Sequence, residues 1–312
     1  MILSSSRRTD IPAFYSEWFI NRIAEGFLYV RNPINKKQVS KIILKPELID
    51  CIVFWSKNPE PMLPKLHILD QLGYKYYFQF TLTSYNNEIE VNLPSKNELI
   101  RTFIQLSSQI GKNRVKWRYD PILLTNKIST EYHIKYFDQI ANKLAPYTDK
   151  CIISFMDFYK KCQRNLRNIS PINIEDGEKI KIAKIFKEVC VKNKIQLETC
   201  AEYIEMANLG IPHGKCIDDK LIEEMCDAKL KIQKDKTQRD ICGCVASIDI
   251  GAYNTCIHNC LYCYANFDPK IANQNYTLHN SKSPLLIGTI SDDDEIYIRD
   301  LASNIVKQQS LF

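Results

Sequence analysis

The residues best suited to chemistry crowd toward the end of the chain, where Cys256-Ile-His-Asn-Cys260-Leu-Tyr262-Cys263 sets three cysteines at C-x3-C-x2-C spacing. Three thiolates this close can hold three irons of a four-iron cluster and leave the fourth open to a substrate or cofactor, whereas four thiolates close a cluster for electron transfer. A second group is spread more widely: Cys200, then Cys216 after an Ile211-Pro212-His213-Gly214 turn, then Cys242-Gly243-Cys244. Four cysteines from three segments suit an auxiliary four-iron cluster; zinc competes, although structural zinc sites favour C-x2-C knuckles over C-x-C. Four unligated buried thiols are the plain alternative. His258, inside the first loop, reads either as a fourth ligand or, more simply, as a solvated loop residue. Cys51, Cys151, Cys190 and Cys226 fit packing positions, and Cys162 sits beside Lys160, Lys161 and Arg164 in what reads as a surface loop.

A chain of 312 residues with 45% hydrophobic content can bury one sizeable α/β core or two smaller ones, and one is expected. A net charge of +6 is compatible with an anionic partner but falls short of the dense Lys/Arg stripes of a dedicated nucleic-acid binder. No 18-residue apolar run and no basic leader followed by an apolar stretch occur, so a cytoplasmic protein without membrane association is expected. Twelve cysteines in a long chain, several at tight local spacing, point to metal or redox chemistry rather than to a disulfide framework.

These groups need a scaffold. Short β-branched and aromatic runs predict strands near 2–5, 50–56, 76–83, 115–120, 150–156, 195–200 and 246–250, separated by amphipathic helices near 13–25, 59–72, 95–110, 130–145, 175–193 and 218–233. That alternation predicts an α/β fold, a partial or closed parallel (β/α) barrel of about six to seven strands over residues 1–267, with 268–312 as a tail. In such barrels chemistry gathers where strands end at their C-terminal side. Polar groups stand at those ends: Ser4 to Asp10, Trp55 to Pro59, Phe80 to Thr83, Arg118 to Pro121, Met156-Asp157 and Glu198 to Glu202. Asp10, Asn58 and Asp120 equally suit helix caps. Ala246 to Gly251 reads as a strand and glycine turn feeding the cysteine loop.

On the cysteine triad and its aromatic neighbour, the chain resembles the radical S-adenosylmethionine (SAM) superfamily, closest to the spore photoproduct lyase group. It also resembles a bacterial family of unknown substrate that carries this cysteine cluster at its C-terminal end. The superfamily places strand and cysteine loop first in the barrel, so the resemblance implies a circular permutation. It implies a [4Fe-4S] cluster on Cys256, Cys260 and Cys263, SAM bound at the open iron, Tyr262 against the adenine and an external electron donor. Arg8-Thr9-Asp10-Ile11-Pro12, Ser56-Lys57, Phe80-Thr81 and Arg118-Tyr119-Asp120-Pro121-Ile122 resemble the lyase group's strand ends. Lys57, Thr81, Ser5, Thr9 and Asp10 would then contact SAM, and Arg118, Tyr119 and Asp120 would act in catalysis or positioning. The superfamily's Gly-Gly-Glu-like segment is missing, so Ser4 to Ser6 and Thr9 would take its place. The implied activity is reductive cleavage of SAM to begin radical chemistry on an unknown substrate, with repair or modification of nucleic acid as the candidate. Gln308 to Phe312 is similar to peptides that grip the bacterial sliding clamp. The competing expectation is a non-catalytic iron–sulfur or zinc protein with a redox-sensing or structural role.

Overall fold

A computed structural model describes residues 1–157 and 165–306. Seven strands form one all-parallel sheet: β1 (Ile2–Ser5), β4 (Cys51–Ser56), β5 (Tyr76–Thr81), β6 (Val115–Ile122), β7 (Lys150–Phe155), β8 (Gln196–Thr199) and β9 (Ile248–Asp249). From β1 through β4 to β8, each strand lies beside the preceding one in sequence, while β9 returns to the free side of β1, pairing Leu3 with Ile248 and Ser4 with Asp249. The sheet is open, with β8 and β9 at its two edges. The fold is therefore α/β, with strands and helices alternating as the pattern predicts.

Parallel strands covered on both faces read as nearly continuous apolar runs, and β4, β5 and β6 are buried over almost their whole length. One face, with Phe54, Phe78, Phe80, Trp117 and Tyr119, packs against Phe103 of α4 (Lys96–Ile110), Phe137 of α5 (Thr130–Leu144) and Phe186 of α6 (Asp176–Lys192). Each such ring removed from water contributes roughly 1.5–3 kcal/mol. Local chemistry starts these helices: Ser95 and Glu98 form a reciprocal capping box on α4, and Ser129 caps α5.

The opposite face, with Ile2, Val53 and Tyr77, packs against Ile217, Leu221, Ile222 and Val245. The Tyr77 hydroxyl and the Gln79 amide donate to the Cys216 carbonyl at 2.6 and 2.8 Å. The cysteine-rich segment thus lies directly on the sheet. The helix expected over 218–233 is shorter, α7 (Asp219–Cys226), because Asp227 turns left-handed (φ 48°) and the following backbone pairs with Asn304 and Ile305 instead.

A second sheet of three strands was not foreseen: β2 (Phe27–Arg31) and β3 (Gln38–Ile43) form a hairpin, and β10 (Glu295–Ile298) joins β3 in parallel. Residues 268–306 dock on the main body. The Trp18 indole donates to the Ser283 carbonyl, and Asp50 accepts hydrogen bonds from Ser303 and Asn304. Among the described residues no helix is long and apolar enough to cross a membrane.

Candidate functional site

The cysteine loop is fixed at its root by Asp249, the last residue of β9. Its carboxylate accepts from Ser4 Oγ (3.0 Å), Ser6 Oγ (2.7 Å), the Arg7 amide (2.8 Å) and the Gly251 amide (3.0 Å), tying the start of the loop to the end of β1. A Cβ at Gly251 would stand 2.0 Å from Ser6 Oγ and 2.6 Å from Ser6 Cβ, so no side chain fits without moving β1. Gly251→Ala is expected to destabilise the fold by about 1–3 kcal/mol, read as a lower urea midpoint at unchanged slope. The loop then runs through left-handed Asn254 and Asn259 and is held from outside: Tyr15 donates to Thr255 O, the Asn92 amide to His258 O, and the Leu261 amide to Ile89 O.

The Cys256, Cys260 and Cys263 thiols lie close enough to disfavour one another's ionisation. Burial is the main cause that pushes all three up. Cys263 Sγ accepts the Ala265 amide at 3.4 Å. His258 is buried, not solvated: Nε2 faces an Asp10 carboxylate oxygen at 2.8 Å, and its ring packs 4.5 Å from that of Phe14. Its Nδ1 and Thr9 Oγ1 are buried with no hydrogen-bond partner among the described residues.

Beside the loop sits a carboxylate that sequence reasoning missed. Glu90, 1% exposed, receives Lys57 Nζ (2.7 Å), Thr83 Oγ1 (2.8 Å), Lys96 Nζ and the Tyr262 hydroxyl. Burial alone would raise its carboxyl, but the two ammoniums outweigh that and hold it far below the usual range. Burial, with the neighbouring Lys57 charge, lowers Lys96 against the pull of Glu90; burial acts the same way on Lys57, but there the Glu90 and Cys260 charges outweigh it and raise it. The cluster carries one net positive charge and adjoins Cys260, whose ionisation both lysines favour.

The second cysteine group also comes together. Cys200 and Cys216 sulfurs are 3.3 Å apart, Cys244 lies within hydrogen-bond reach of Cys216 and Cys242, and the Ile217 amide donates to Cys244 Sγ. Arg118 places Nη1 2.6 Å from Cys216 Sγ and pairs through Nη2 with Asp120, whose other oxygen accepts from Ser154. Cys200 is pushed down to about 7, first by its bond with Cys216, then by Arg118 against the opposing effect of burial.

Beside the second group lies a cavity of about 320 Å³, lined among others by Lys57, Thr81, Arg118, Asp120 and all four of its cysteines; the triad loop reaches it through Tyr262, and none of Cys256, Cys260 and Cys263 lines it. Its size matches small-molecule sites, which occupy roughly 300–1,000 Å³. Among the described residues, no three His, Cys, Asp or Glu side chains are arranged to hold a single metal ion.

Residues 2–265 match the family described as a domain of unknown function, DUF1848. The chain belongs to the DUF1848 family. No curated protein matches it. A solved Bacteroides thetaiotaomicron protein, provisionally described as an alpha-L-fucosidase, aligns over 75% of this chain and 84% of its own at 13% identity, with a TM-score of 0.23, too low to support an argument.

In this DUF1848 chain the expected site residues divide by strand face. Arg118 and Asp120 reach the cavity, whereas Tyr119, between them, points the other way into the aromatic core and bonds to Ser84 and His133. Tyr119 is therefore buried away from the cavity. Ser6 rather than Ser5 lines the cavity; Ser5 Oγ is buried without a partner among the described residues. Asp10 caps the helix at Ile11–Phe14 through Ala13, and its other oxygen accepts from the Lys57 amide. Cys162 and Gln308 to Phe312 lie outside the described residues.

Glu202, at the same strand end as Cys200, is raised to about 7, chiefly by burial, and accepts the Phe155 amide at 2.8 Å. A raised carboxyl contributes stability below its unfolded value near 4.5 and loses it as pH climbs toward 7. Urea titrations of wild type and Glu202→Gln should therefore coincide near pH 4.5, with the variant more stable by about 1–3 kcal/mol at pH 8.

Proposed function

We propose that this protein is an iron–sulfur enzyme of the radical SAM type, built on a permuted, partial (β/α) barrel. One observation carries the reading: the C-x3-C-x2-C loop leaves the end of the strand that flanks β1, and the adjoining cavity is lined by Lys57, Thr81 and Arg118. Strand order supports it as well, since moving β9 ahead of β1 would make the order fully sequential with the cysteine loop first.

The residues fit a cluster. Three thiolates are anions, and the one surplus positive charge of Lys57, Lys96 and Glu90 stands beside Cys260 to offset its charge. A four-iron cluster held by Cys256, Cys260 and Cys263 would supply one electron, itself drawn from an external donor, for cleavage of the SAM C5′–S bond to methionine and a 5′-deoxyadenosyl radical able to take hydrogen from a substrate. The chain's own share is to bind and orient. Tyr262, held by Glu90 through its hydroxyl, offers a fixed ring at the cavity wall. Arg118 and Asp120, locked to each other, present a rigid donor and acceptor to whatever enters. Thr81 adds a hydroxyl to the same wall.

The second group fits less directly. At 3.3 Å the Cys200 and Cys216 sulfurs are closer than the roughly 3.8 Å between two thiolates on one zinc, given Zn–S near 2.3 Å. Any zinc would have to part them, and a cluster would part them further. Under the competing non-catalytic reading, these thiols serve as a redox or structural site.

The test is anaerobic reconstitution with iron and sulfide, then reduction in the presence of SAM. Release of 5′-deoxyadenosine supports the enzyme; a reduced, iron-loaded protein that leaves SAM intact overturns it. The substrate side remains nucleic acid as the candidate, from charge and resemblance.

A further inference from the structure

The cavity opens beside a much larger groove of about 1510 Å³, and the two share Arg7, Gln238, Arg239 and Tyr264 as lining. The groove runs between the three-stranded sheet, the loop after β1 and the segment 233–239. Seven Lys or Arg side chains line it against two Asp, a surplus close to the whole chain's net charge of +6. Three tyrosines line it too: Tyr253, Tyr264 (46% exposed) and Tyr297 (52% exposed).

Part of that charge is spent internally. Arg7 lies 3.9 Å from Asp235, Arg8 is 3.9 Å from Asp249, Arg31 is bound to Asp294, and Arg239 is 2.5 Å from Asp157. These pairs keep the guanidiniums in place, and Arg8 is held over the Tyr253 ring at 5.3 Å. Lys236 and Arg299 are exposed at the groove. A volume above the range of small-molecule sites calls for an extended ligand, fixed cations call for a polyanion, and exposed aromatic rings between the cations call for flat groups to stack on them.

We infer that this groove binds single-stranded nucleic acid, with phosphates on its exposed cations, Lys236 and Arg299, and a base on the exposed Tyr297 ring, leading one nucleotide toward the 320 Å³ cavity. A recessed cleft with stacking surfaces suits a flexible strand; a duplex hides the base faces that the tyrosines need. The inference deepens the substrate side of the radical SAM reading, yet its test needs neither reductant nor SAM, so the two can fail separately.

The test is fluorescence anisotropy of the full-length protein with a labelled 12-nucleotide single strand, as DNA and as RNA, over a salt series. Lys236→Glu/Arg299→Glu is expected to weaken binding about tenfold or more and flatten the log–log salt slope by about 1.4, at roughly 0.7 per lost phosphate contact. Tyr297→Ala should weaken binding at least fivefold, since stacking on one ring contributes roughly 1–3 kcal/mol per base. Thermal unfolding of each variant serves as the folding control. Binding unchanged in the charge-reversed variant overturns the inference. So does heparin or an anionic vesicle binding as tightly as the oligonucleotide with Tyr297→Ala without effect, which would reduce the groove to a general polyanion surface.

Discussion

Replacing Cys260 with alanine is expected to bring 5′-deoxyadenosine release down to background, a loss of at least about a hundredfold, in protein that still folds. The expectation follows from the ligand count: a cluster with one open iron has only three thiolates, and losing one leaves two. Cys260 is also the buried member beside Lys57 and Lys96, so its loss leaves their surplus charge without its anionic partner. Iron and sulfide content and the absorbance of the reconstituted protein separate loss of the cluster from loss of turnover. A Cys190→Ala control, in the core of α6, should keep its iron. If Cys260→Ala cleaves SAM as the wild type does, the cluster is elsewhere and the proposal falls.

The second large effect concerns stability. Glu90→Ala is expected to destabilise the protein by about 3–5 kcal/mol, because it leaves two ammoniums facing each other with no counter-charge, the costly way to break a buried ion pair. The carboxyl of Glu90 is held below its ordinary value, so its contribution is present above about pH 4.5 and fades as pH falls toward the folded value. Wild-type stability should fall between pH 5 and pH 3 more steeply than that of Glu90→Gln, as urea midpoints at several pH values would show. Adding Lys96→Met to Glu90→Gln should recover part of the loss, since a single remaining ammonium meets no like charge. An effect under 1 kcal/mol for Glu90→Ala would mean that water screens the site despite its burial.

Glu90 also shows where the limit of reading a sequence lies. Little in Asn86-Asn87-Glu88-Ile89-Glu90 distinguishes it from a solvated loop, for Glu88, two residues earlier, is exposed while Glu90 is enclosed. Its burial comes from Lys57, Lys96 and Tyr262, which lie 33, 6 and 172 residues away. His258 is a similar case: its local neighbours are polar, and Asp10 and Phe14 reach it across 248 and 244 residues. Tyr119 is different, since strand alternation alone places it on the opposite face from Arg118 and Asp120.

Local pattern determined the strands and helices of the main sheet, usually to within two residues, because buried parallel strands and capped amphipathic helices carry their instructions in adjacent residues. Spacing alone marked the triad Cys256, Cys260 and Cys263. Tertiary structure decided what stands beside those elements: the order that puts β9 next to β1, the three-stranded sheet joining residues 38–43 to 295–298, and the meeting of Cys200, Cys216, Cys242 and Cys244 under Arg118. Such contacts are set by long-range packing and by the need to pair buried charge, and neither leaves a mark in the residues on either side.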